Sequence, residues 1–371
     1  FGNWLRDNIC LPHGVIHIVD TVEHVIQRED ASIEKIITKN GQHINGDLFI
    51  DCSGFRSILL DQTLNVPFIS FHDTLLNDRA VATVIPYIDK DKEMENYTSC
   101  TAIEAGWVWN IPLWHRIGTG YVYSSKYATE EQAEEHFRRH LKSNRMIFPD
   151  AERAEAAEFR HIKIRHGVHK RAWEKNVVGI GLANGFIEPL ESTGLMLTHE
   201  GIVKLCHTLK MRDGVVSNYD VDLFNFGFQE QIIGFKDFIS QHYALSCRHD
   251  TPYWKEVTGS ITYSSLCHND TNLGGLGVET MGSTDLGFRI HRSKKFDQNM
   301  GGIIYIAAGM GYSPIEPNFV SFEDTRMHEN PEARKPVYDE WLRHRDEVLK
   351  YIETLPTHYE FLSKNIYGGA K

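Results

Sequence analysis

The segment from Asn176 to Gly194 combines a buried strand pattern, a glycine-rich bend and a carboxylate just before an apolar helix. It reads NVVGIGLANGFIEPLESTG, and the apolar run from Leu195 to Leu209 follows at once. A helix start exposes unpaired backbone N–H groups and a partial positive charge, so it can hold an anion. We therefore expect an acid, Glu191, beside an anion site, next to a loop that glycine lets approach a cofactor closely.

Two glutamates of this segment are candidates for acid–base chemistry. Glu191 directly precedes Ser192-Thr193-Gly194, beside a helix start that attracts negative charge. An ionised carboxylate there can accept a proton from a bound ligand. Glu188, three residues earlier, is the competing candidate, and an ordinary ion pair or a structural hydrogen bond is its alternative role. The position before the Ser-Thr-Gly turn favours Glu191.

Two strand ends and a tryptophan pair accompany that segment. The motifs DLFIDCSG, from Asp47 to Gly54, and NVVGIG, from Asn176 to Gly181, each predict a buried strand that ends in small residues, as in a parallel sheet. Between them, Trp107 and Trp109 share one face of a predicted strand. Paired indoles can wall a pocket against water, although core packing is the ordinary role of a lone W-x-W.

Four motifs follow one another in the order of a known family: DLFIDCSGFR from Asp47, GWVWNIP from Gly106, GTGYVYS from Gly118 and GFIEPLESTG from Gly185. Together they closely resemble the flavin-dependent halogenases of the tryptophan-halogenase family, in the flavin monooxygenase superfamily. The W-x-W-x-I-P element is the signature of that family. The resemblance runs from about residue 1 to about residue 210, then thins, and resumes at residues 302–312.

The resemblance implies a fold and a reaction. The fold is of mixed α/β (α+β) class, an FAD-binding, flavin-monooxygenase-like fold with an antiparallel substrate-side sheet and a helical carboxy-terminal region. In the reaction, a separate flavin reductase supplies reduced FAD, and O2 and a halide ion then yield hypohalous acid. This oxidant passes through a tunnel to a small aromatic substrate, indole-like or phenolic, and halogenates it. Chloride, bromide and iodide all remain open as the halide.

Each predicted site residue takes its role from the family motif that it matches. Glu191 matches the catalytic glutamate, and Thr193 and Gly194 match the positions whose backbone N–H groups bind the halide. The positions that contact the cofactor are matched by Val22, Ser53, Gly54, Leu182 and Leu195. The positions that line the pocket or tunnel are matched by Trp107, Trp109, Ile111, Pro112 and Ser192.

The sequence departs from the family pattern in two places. The G-x-G-x-x-G fingerprint and the catalytic lysine of the family precede Phe1, so we expect the chain to be a fragment, inactive and poor in flavin binding without them. In the substrate region, an ungapped alignment puts Asp297 and Gln298 where the family has aromatic residues that clamp free tryptophan. This departure weakens the case for free tryptophan as the substrate.

Composition argues against several other classes of protein. The net charge of −11 argues against a nucleic-acid binder. No run of 18 apolar residues occurs, so no membrane span is expected. Six scattered cysteines without C-x-x-C spacing predict reduced thiols, a cytoplasmic protein and no zinc site. His161, His166 and His169 fit no standard zinc spacing and have basic neighbours, so no metal site is predicted.

The predicted elements fall into four segments. Residues 1–64 are the remainder of the FAD-binding module, 65–170 an antiparallel sheet region, 171–215 the strand-loop-helix that contacts FAD and halide, and 216–371 a helical substrate region. Alternating or apolar patterns predict strands at residues 14–19, 22–27, 33–38, 80–85, 106–113, 118–124 and 160–169. Helices are predicted at residues 57–64, 130–142, 195–209, 223–244 and 331–354. Burying the phenylalanine-rich helix could require a second subunit, so a homo-oligomer stays open.

Two other functions stay open from sequence alone. An aromatic hydroxylase would insert oxygen without halide, and a nicotinamide cofactor would reduce its bound flavin directly. The W-x-W pair and the Ser-Thr-Gly turn argue against that reaction. A degenerate flavin-fold binding or structural protein is the third possibility, and the missing glycine fingerprint and lysine are its support.

Overall fold

The structure, a computed structural model, describes residues 1–143, 150–261, 306, 309–310 and 331–368. The chain divides into two compact units, each assembled from separate stretches of sequence. The first unit comprises Phe1–Ile69, Gly167–Phe186 and Gly194–Ile232, and the second comprises Ser70–His166, Ile187–Thr193 and Ile233–Lys371.

Strands and helices are numbered in chain order. The strands are β1 (Val22–Gln27), β2 (Ile33–Thr38), β3 (His43–Asn45), β4 (Phe49–Asp51), β5 (Phe68–Ser70), β6 (Arg79–Ile85), β7 (Ser99–Ile103), β8 (Gly106–Leu113), β9 (Arg116–Tyr123), β10 (Arg160–Lys163), β11 (Gly167–His169), β12 (Trp173–Glu174), β13 (Val177–Gly179) and β14 (Gly185–Phe186). The helices are α1 (Gly2–Leu5), α2 (Lys90–Glu93), α3 (Glu130–Ser143), α4 (Ala151–Glu155), α5 (Gly194–Met211), α6 (Asn218–Ala244), α7 (Pro252–Gly259), α8 (Pro331–Ile352) and α9 (His358–Asn365).

A parallel strand pair lies at the centre of the first unit. β4 and β13 pair in parallel with Val177 opposite Phe49 and Gly179 opposite Asp51, as the two apolar motifs predict. In β13, Val177 and Val178 are fully buried, as expected of a strand covered on both faces. In β4, Phe49 is buried but Ile50 is 43% exposed, so the prediction that this strand is buried on both faces is wrong. Because parallel strands end at the same edge, the small residues after each strand lie on one side of this sheet.

In the amino-terminal part of the first unit, two of the three predicted strands are present and the third is absent. The predicted strands at residues 22–27 and 33–38 are β1 and β2, which pair in antiparallel orientation, and β3 adds a third strand that was not predicted. The predicted strand at residues 14–19 is wrong. Residues 6–13 form short helical turns that end at Gly14 with φ of 85°, and no regular structure follows before β1. Val15, Ile16 and Val19 are exposed, and no described strand pairs with them.

The second unit contains the predicted antiparallel sheet, with strand order β10-β6-β9-β8-β7. In the β8–β9 pair, Trp107 lies opposite Val122 and Trp109 opposite Gly120. The alternating segment predicted at residues 160–169 is two strands, β10 and β11, which belong to different sheets. At the break, Gly167 has φ of 144°, and a Cβ there would lie 2.3 Å from the carbonyl oxygen of Ile69, so only glycine fits.

The predicted helices are confirmed, with small changes of length. Residues 58–63 form a single π-helical stretch within the predicted 57–64. In α3, Ala133, Phe137 and Leu141 are buried, in agreement with their spacing of four. α5 begins at Gly194, one residue before the apolar run, and α6 begins at Asn218, five residues before the predicted start, since its first turn carries polar residues. Among the described residues, no helix has the length and apolarity that crossing a bilayer requires.

Candidate functional site

The predicted acid stands on a tight turn that ends just before α5. Pro189–Glu191 form one 3₁₀ turn, in which proline fixes the first φ, and the Ser192 N–H donates to the carbonyl of Pro189 at 3.0 Å. Ser192 then adopts a left-handed conformation with φ of 55°, and α5 begins at Gly194. The Ser-Thr-Gly element therefore forms the predicted bend between the glutamate and the helix.

Glu191 forms a hydrogen-bonded pair with a histidine of α6. Its Oε1 lies 2.7 Å from Nε2 of His242, whose other ring nitrogen, Nδ1, lies 3.2 Å from the carbonyl oxygen of Phe238. The side chain of His242 is 10% exposed and that of Glu191 is 32% exposed. Among the described residues, no hydrogen bond reaches Glu191 Oε2, so this oxygen is available to a ligand.

Glu188, the competing acid, is fully buried and makes hydrogen bonds through both carboxylate oxygens. Oε1 accepts from the Tyr243 hydroxyl at 2.5 Å, and Oε2 accepts from Asn77 Nδ2 at 2.9 Å and from Trp107 Nε1 at 3.4 Å. Burial, together with the charge of Glu188, raises the pKa of Tyr243 well above its ordinary value. These contacts suit a structural acid, because neither oxygen is left for a substrate.

The backbone of Glu188 is also held. Its N–H donates to Nδ1 of His166 at 3.2 Å, and burial lowers the pKa of that imidazole. Asn77 extends the cluster, since its Oδ1 accepts from the Tyr253 hydroxyl at 3.0 Å. Two adjacent residues of α6 thus hold the two glutamates of one turn, His242 holding Glu191 and Tyr243 holding Glu188.

The predicted tunnel residues of β8 differ in burial. Trp107 is 3% exposed, Trp109 is half-buried, and their rings meet edge to face with centroids 6.2 Å apart. Ile111, farther along the strand, is exposed, Pro112 is partly buried, and Ser192 on the turn is exposed. Trp107 contacts the turn formed by Glu188–Glu191, here called the E-P-L-E turn, through its hydrogen bond to Glu188.

Cys100 connects Trp109 with the same turn. It lies opposite Trp109 in the β7–β8 pair, and its Sγ is 4.0 Å from the carbonyl oxygen of Leu190. Although the residue keeps some solvent exposure, desolvation of the thiol and the nearby charge of Glu191 raise the pKa of Cys100 to about 11. The Cys100 thiol therefore lies within the electrostatic range of the Glu191 carboxylate.

The two residues predicted to bind halide have contrasting surroundings. Thr193 is 6% exposed, and its Oγ1 is buried without a hydrogen-bond partner in the described part of the chain. Gly194 is exposed, and a Cβ built there would meet no atom within 4 Å. A small ligand could bind here, because the buried Thr193 hydroxyl lacks a described partner and the backbone of Gly194 is accessible.

Most of the predicted cofactor contacts belong to one surface of the first unit. The carboxylate of Asp51 accepts from the backbone N–H groups of Ser53, Leu59 and Leu60, which fixes the turn after β4. Ser57 Oγ donates to the carbonyl of Ala183 at 2.7 Å and so joins this turn to the turn after β13. The second turn also contacts α5.

The exposed part of that surface is apolar and open. Gly54 has φ of 69° and no atom within 4 Å of a Cβ position. Leu182 is 43% exposed and Leu195 is 84% exposed, although both are large apolar residues. Val22, in contrast, is partly buried at the start of β1, opposite Thr38, in the separate antiparallel sheet. Its contact with a cofactor stays a prediction.

The three clustered histidines make separate hydrogen bonds. His161 Nε2 pairs with Glu134, His166 Nδ1 accepts from the backbone of Glu188, and His169 Nδ1 contacts the carbonyl of Asn184. In the described ranges, no group of three or more potential metal ligands occurs. Asp297, Gln298 and the glycine-rich segments at residues 274–277 and 301–302 lie outside the described residues.

Sequence reasoning missed His242, Asn77 and Tyr243. Each of them contacts the E-P-L-E turn from 51 to 111 positions away along the chain. The available signal was weak: a His-Tyr pair near the end of a helix pattern that mixes phenylalanine and isoleucine with polar residues. Such a pair predicts a polar contact but not its partner.

Comparison with known proteins gives one family and close relatives within it. A family model described as tryptophan halogenase matches residues 1–274, so the predicted end of the resemblance near residue 210 is too early. The tryptophan 6-halogenase ThaL of Streptomyces albogriseolus is 38% identical over 372 residues, covering 99% of this chain and 66% of that protein. The tryptophan 7-halogenase RebH of Lentzea aerocolonigenes is 32% identical, covering 94% of this chain and 63% of that protein.

A solved structure agrees in fold as well as in sequence. The apo structure of VirX1 superposes with a TM-score of 0.84 at 40% identity, covering 99% of this chain and 68% of that one. The predicted fold class is confirmed by this and similar matches. The chain spans less than two thirds of the length of the curated relatives that it matches.

Proposed function

The chain belongs to the tryptophan halogenase family, and we propose that the protein is a flavin-dependent halogenase acting on an electron-rich aromatic compound, indole-like or phenolic. One observation carries this proposal: Glu191 presents one carboxylate oxygen without a described partner, while His242 holds the other. An acid anchored on one side and open on the other suits proton transfer to and from a small substrate.

The surface formed by the turns after β4 and β13 fits an FAD ring. The backbone at Gly54 is open, and the side chains of Leu182 and Leu195 are exposed. An aromatic ring that covered these apolar side chains would remove their contact with water, which favours binding. Ser53 and Gly54 would hold one part of the cofactor, and Leu182 and Leu195 would pack on its ring. Val22 would contact it near the adenine.

Reduced FAD, supplied by a transient flavin reductase, would provide the oxidised halogen from O2 and halide in the form of hypohalous acid. Thr193 and Gly194 would bind the halide through backbone N–H groups at the start of α5, where the helix dipole favours an anion. The orphaned hydroxyl of Thr193 supports a ligand at this point of the chain.

Glu191 would do the proton chemistry on the aromatic substrate. Its open Oε2 would hydrogen-bond the hypohalous acid and then accept the proton that the ring loses after the carbon–halogen bond forms. Trp109, Ile111, Pro112 and Ser192 would line the route of the substrate, as in the family, and Trp107 would support Trp109 through their ring contact. Water and organic substrates kept away from the flavin could not divert the reaction toward hydroxylation.

The test uses the complete protein with a flavin reductase, FAD, a nicotinamide reductant and, in turn, chloride, bromide and iodide. We expect an indole or a phenol to gain one halogen, which mass spectrometry detects by mass and isotope pattern. Reactions without halide and with Glu191→Gln are the controls. Oxygenated product without halide, or no halogenated product with any of the three ions, would contradict the proposal.

A further inference from the structure

The contacts of His242 restrict where the Glu191–His242 pair can carry its protons. His242 is almost fully buried, and both of its ring nitrogens face oxygen atoms: Nε2 faces Glu191 Oε1 at 2.7 Å and Nδ1 faces the Phe238 carbonyl at 3.2 Å. A carbonyl oxygen can only accept a hydrogen bond, so Nδ1 makes a favourable contact only when it carries a proton.

Two protonation states satisfy both contacts. In the first, His242 is an imidazolium that donates from both nitrogens, and Glu191 is ionised. In the second, Glu191 is a carboxylic acid that donates to Nε2, and a neutral His242 donates from Nδ1. Both states contain two exchangeable protons. A neutral imidazole with its proton on Nε2 would point the Nδ1 lone pair at the Phe238 oxygen, which a buried ring avoids.

Resting on the proposed halogenase function, we propose that His242 is a positioning residue that shares a proton with Glu191, so that the pair acts as one two-proton acid–base unit. An imidazole suits this role because it donates to a carboxylate and accepts from a carboxylic acid. His242 therefore stabilises Glu191 both before and after a proton transfer, which a residue with a fixed donor cannot do.

The proton balance of halogenation fits such a unit. An aromatic ring and hypohalous acid give the halogenated ring and water: the carbon–halogen bond forms, the oxygen–halogen bond breaks, and its electron pair stays on oxygen. That oxygen needs a proton to leave as water, and the ring must release one to become aromatic again. The pair gives one proton through the Glu191 carboxyl group and recovers one from the ring, so it ends as it began.

Nuclear magnetic resonance of the complete protein with ¹⁵N-labelled histidine tests the proton positions directly. The difference between the wild-type spectrum and that of His242→Gln identifies the His242 signals. We expect Nδ1 to carry a proton in the wild type, as both satisfied states require. A neutral ring protonated on Nε2 would overturn the proposal. This measurement needs no activity, so it is informative even if no halogenation is found and the proposed function fails.

Kinetics of two variants separates proton sharing from simple positioning. His242→Gln keeps an amide that can donate a hydrogen bond to Glu191 but cannot give up or take a proton, and His242→Phe removes both the hydrogen bond and the titratable group. We expect kcat to fall by ~10²-fold in both variants, the scale of a lost acid–base group, with the KM of the aromatic substrate unchanged in His242→Gln. A His242→Gln variant within about threefold of wild-type kcat would overturn proton sharing. His344→Gln, an exposed change on α8, is the matched control and should keep the wild-type rate.

Discussion

Trp107 donates its indole N–H to the buried carboxylate of Glu188 across 3.4 Å. One of the two tryptophans that the family resemblance assigns to the tunnel thus supports the turn on which Glu191 stands. Tyr243 binds the other oxygen of Glu188, and its neighbour His242 binds Glu191. The geometry of the proposed acid therefore depends on the buried contacts of Glu188 with Trp107 and Tyr243, which take no part in the proposed chemistry.

Glu191→Gln should abolish most halogenation while leaving the fold intact. The amide keeps the shape of the side chain but can neither accept nor deliver a proton at the open oxygen. We expect kcat to fall by ~10²-fold or more, with unchanged thermal unfolding and flavin affinity. Unchanged turnover would remove Glu191 from the mechanism.

Glu188→Gln should instead act on stability. The glutamine amide can accept at one oxygen only, so its NH2 group would face a donor from Tyr243, Asn77 or Trp107 inside a fully buried cluster. Leaving such groups unsatisfied should lower the free energy of unfolding by ~1–3 kcal/mol, measured by urea denaturation. The exposed change Glu347→Gln should be neutral, and equal stability of the two variants would contradict the structural role.

Gly120→Ala should displace the Trp109 ring. A Cβ at Gly120 would lie 2.1 Å from an atom of that ring, so the indole must move. We expect a loss of ~1–3 kcal/mol in unfolding free energy and a change in tryptophan fluorescence. Gly118→Ala is the matched control two residues away, because its nearest neighbour, the Ile111 carbonyl oxygen, is 3.9 Å from the new Cβ. Equal effects of the two changes would mean that the Trp109 ring does not pack against Gly120.

Cys100 offers a reporter of the charge on Glu191. Burial and, secondly, the negative carboxylate of Glu191 raise the pKa of this thiol to about 11, so its alkylation should be slow at pH 8 and rise toward pH 11. Glu191→Gln removes the second cause and should shift the alkylation profile to lower pH. The rate of iodoacetamide labelling, followed by peptide mass spectrometry, measures this shift, and Glu347→Gln should not produce it. Superimposable profiles for wild type and Glu191→Gln would mean that the carboxylate is not near the thiol.

Leu195→Ala should weaken flavin binding without affecting the fold. Leu195 is 84% exposed, so the folded chain gains little from it, whereas a ring packed on it would bury it. We expect the Kd for FAD of the complete protein to rise by ~10-fold, from the transfer free energy of the removed carbon atoms. Val203→Ala, a change of an exposed residue on the same helix, should leave the Kd unchanged, and a similar Kd for both variants would count against Leu195 as a flavin contact.

Local patterns were sufficient to predict most of the fold. The apolar runs around Phe49 and Val177 predict two strands of a parallel sheet, and β4 and β13 do pair in parallel, although only β13 is buried on both faces. The spacing of Ala133, Phe137 and Leu141 indicates the buried face of α3. At Val15, Ile16 and Val19 the same reasoning failed, because alternation indicates a strand only where a neighbouring strand can pair with it.

The polar partners of the candidate site could not be predicted in the same way. Glu191 and the Ser-Thr-Gly turn are contiguous, so one short motif identifies them. His242 and Asn77 reach that turn through tertiary contacts, and any of many buried polar side chains could have done so. Periodicity determines which face of a helix is buried, but it does not identify the group that this face meets.

The turn after β4 is rigid without any ligand, because the Asp51 carboxylate receives three backbone N–H groups and the Ser53 hydroxyl. A ligand that binds at Gly54 therefore meets a turn that is already ordered, and the protein loses little conformational entropy there on binding. For the proposed FAD site, the strength of binding at this turn would then be governed by contact area rather than by loop ordering. Asp51→Ala would remove these hydrogen bonds, so the turn would have to become ordered each time the ligand binds.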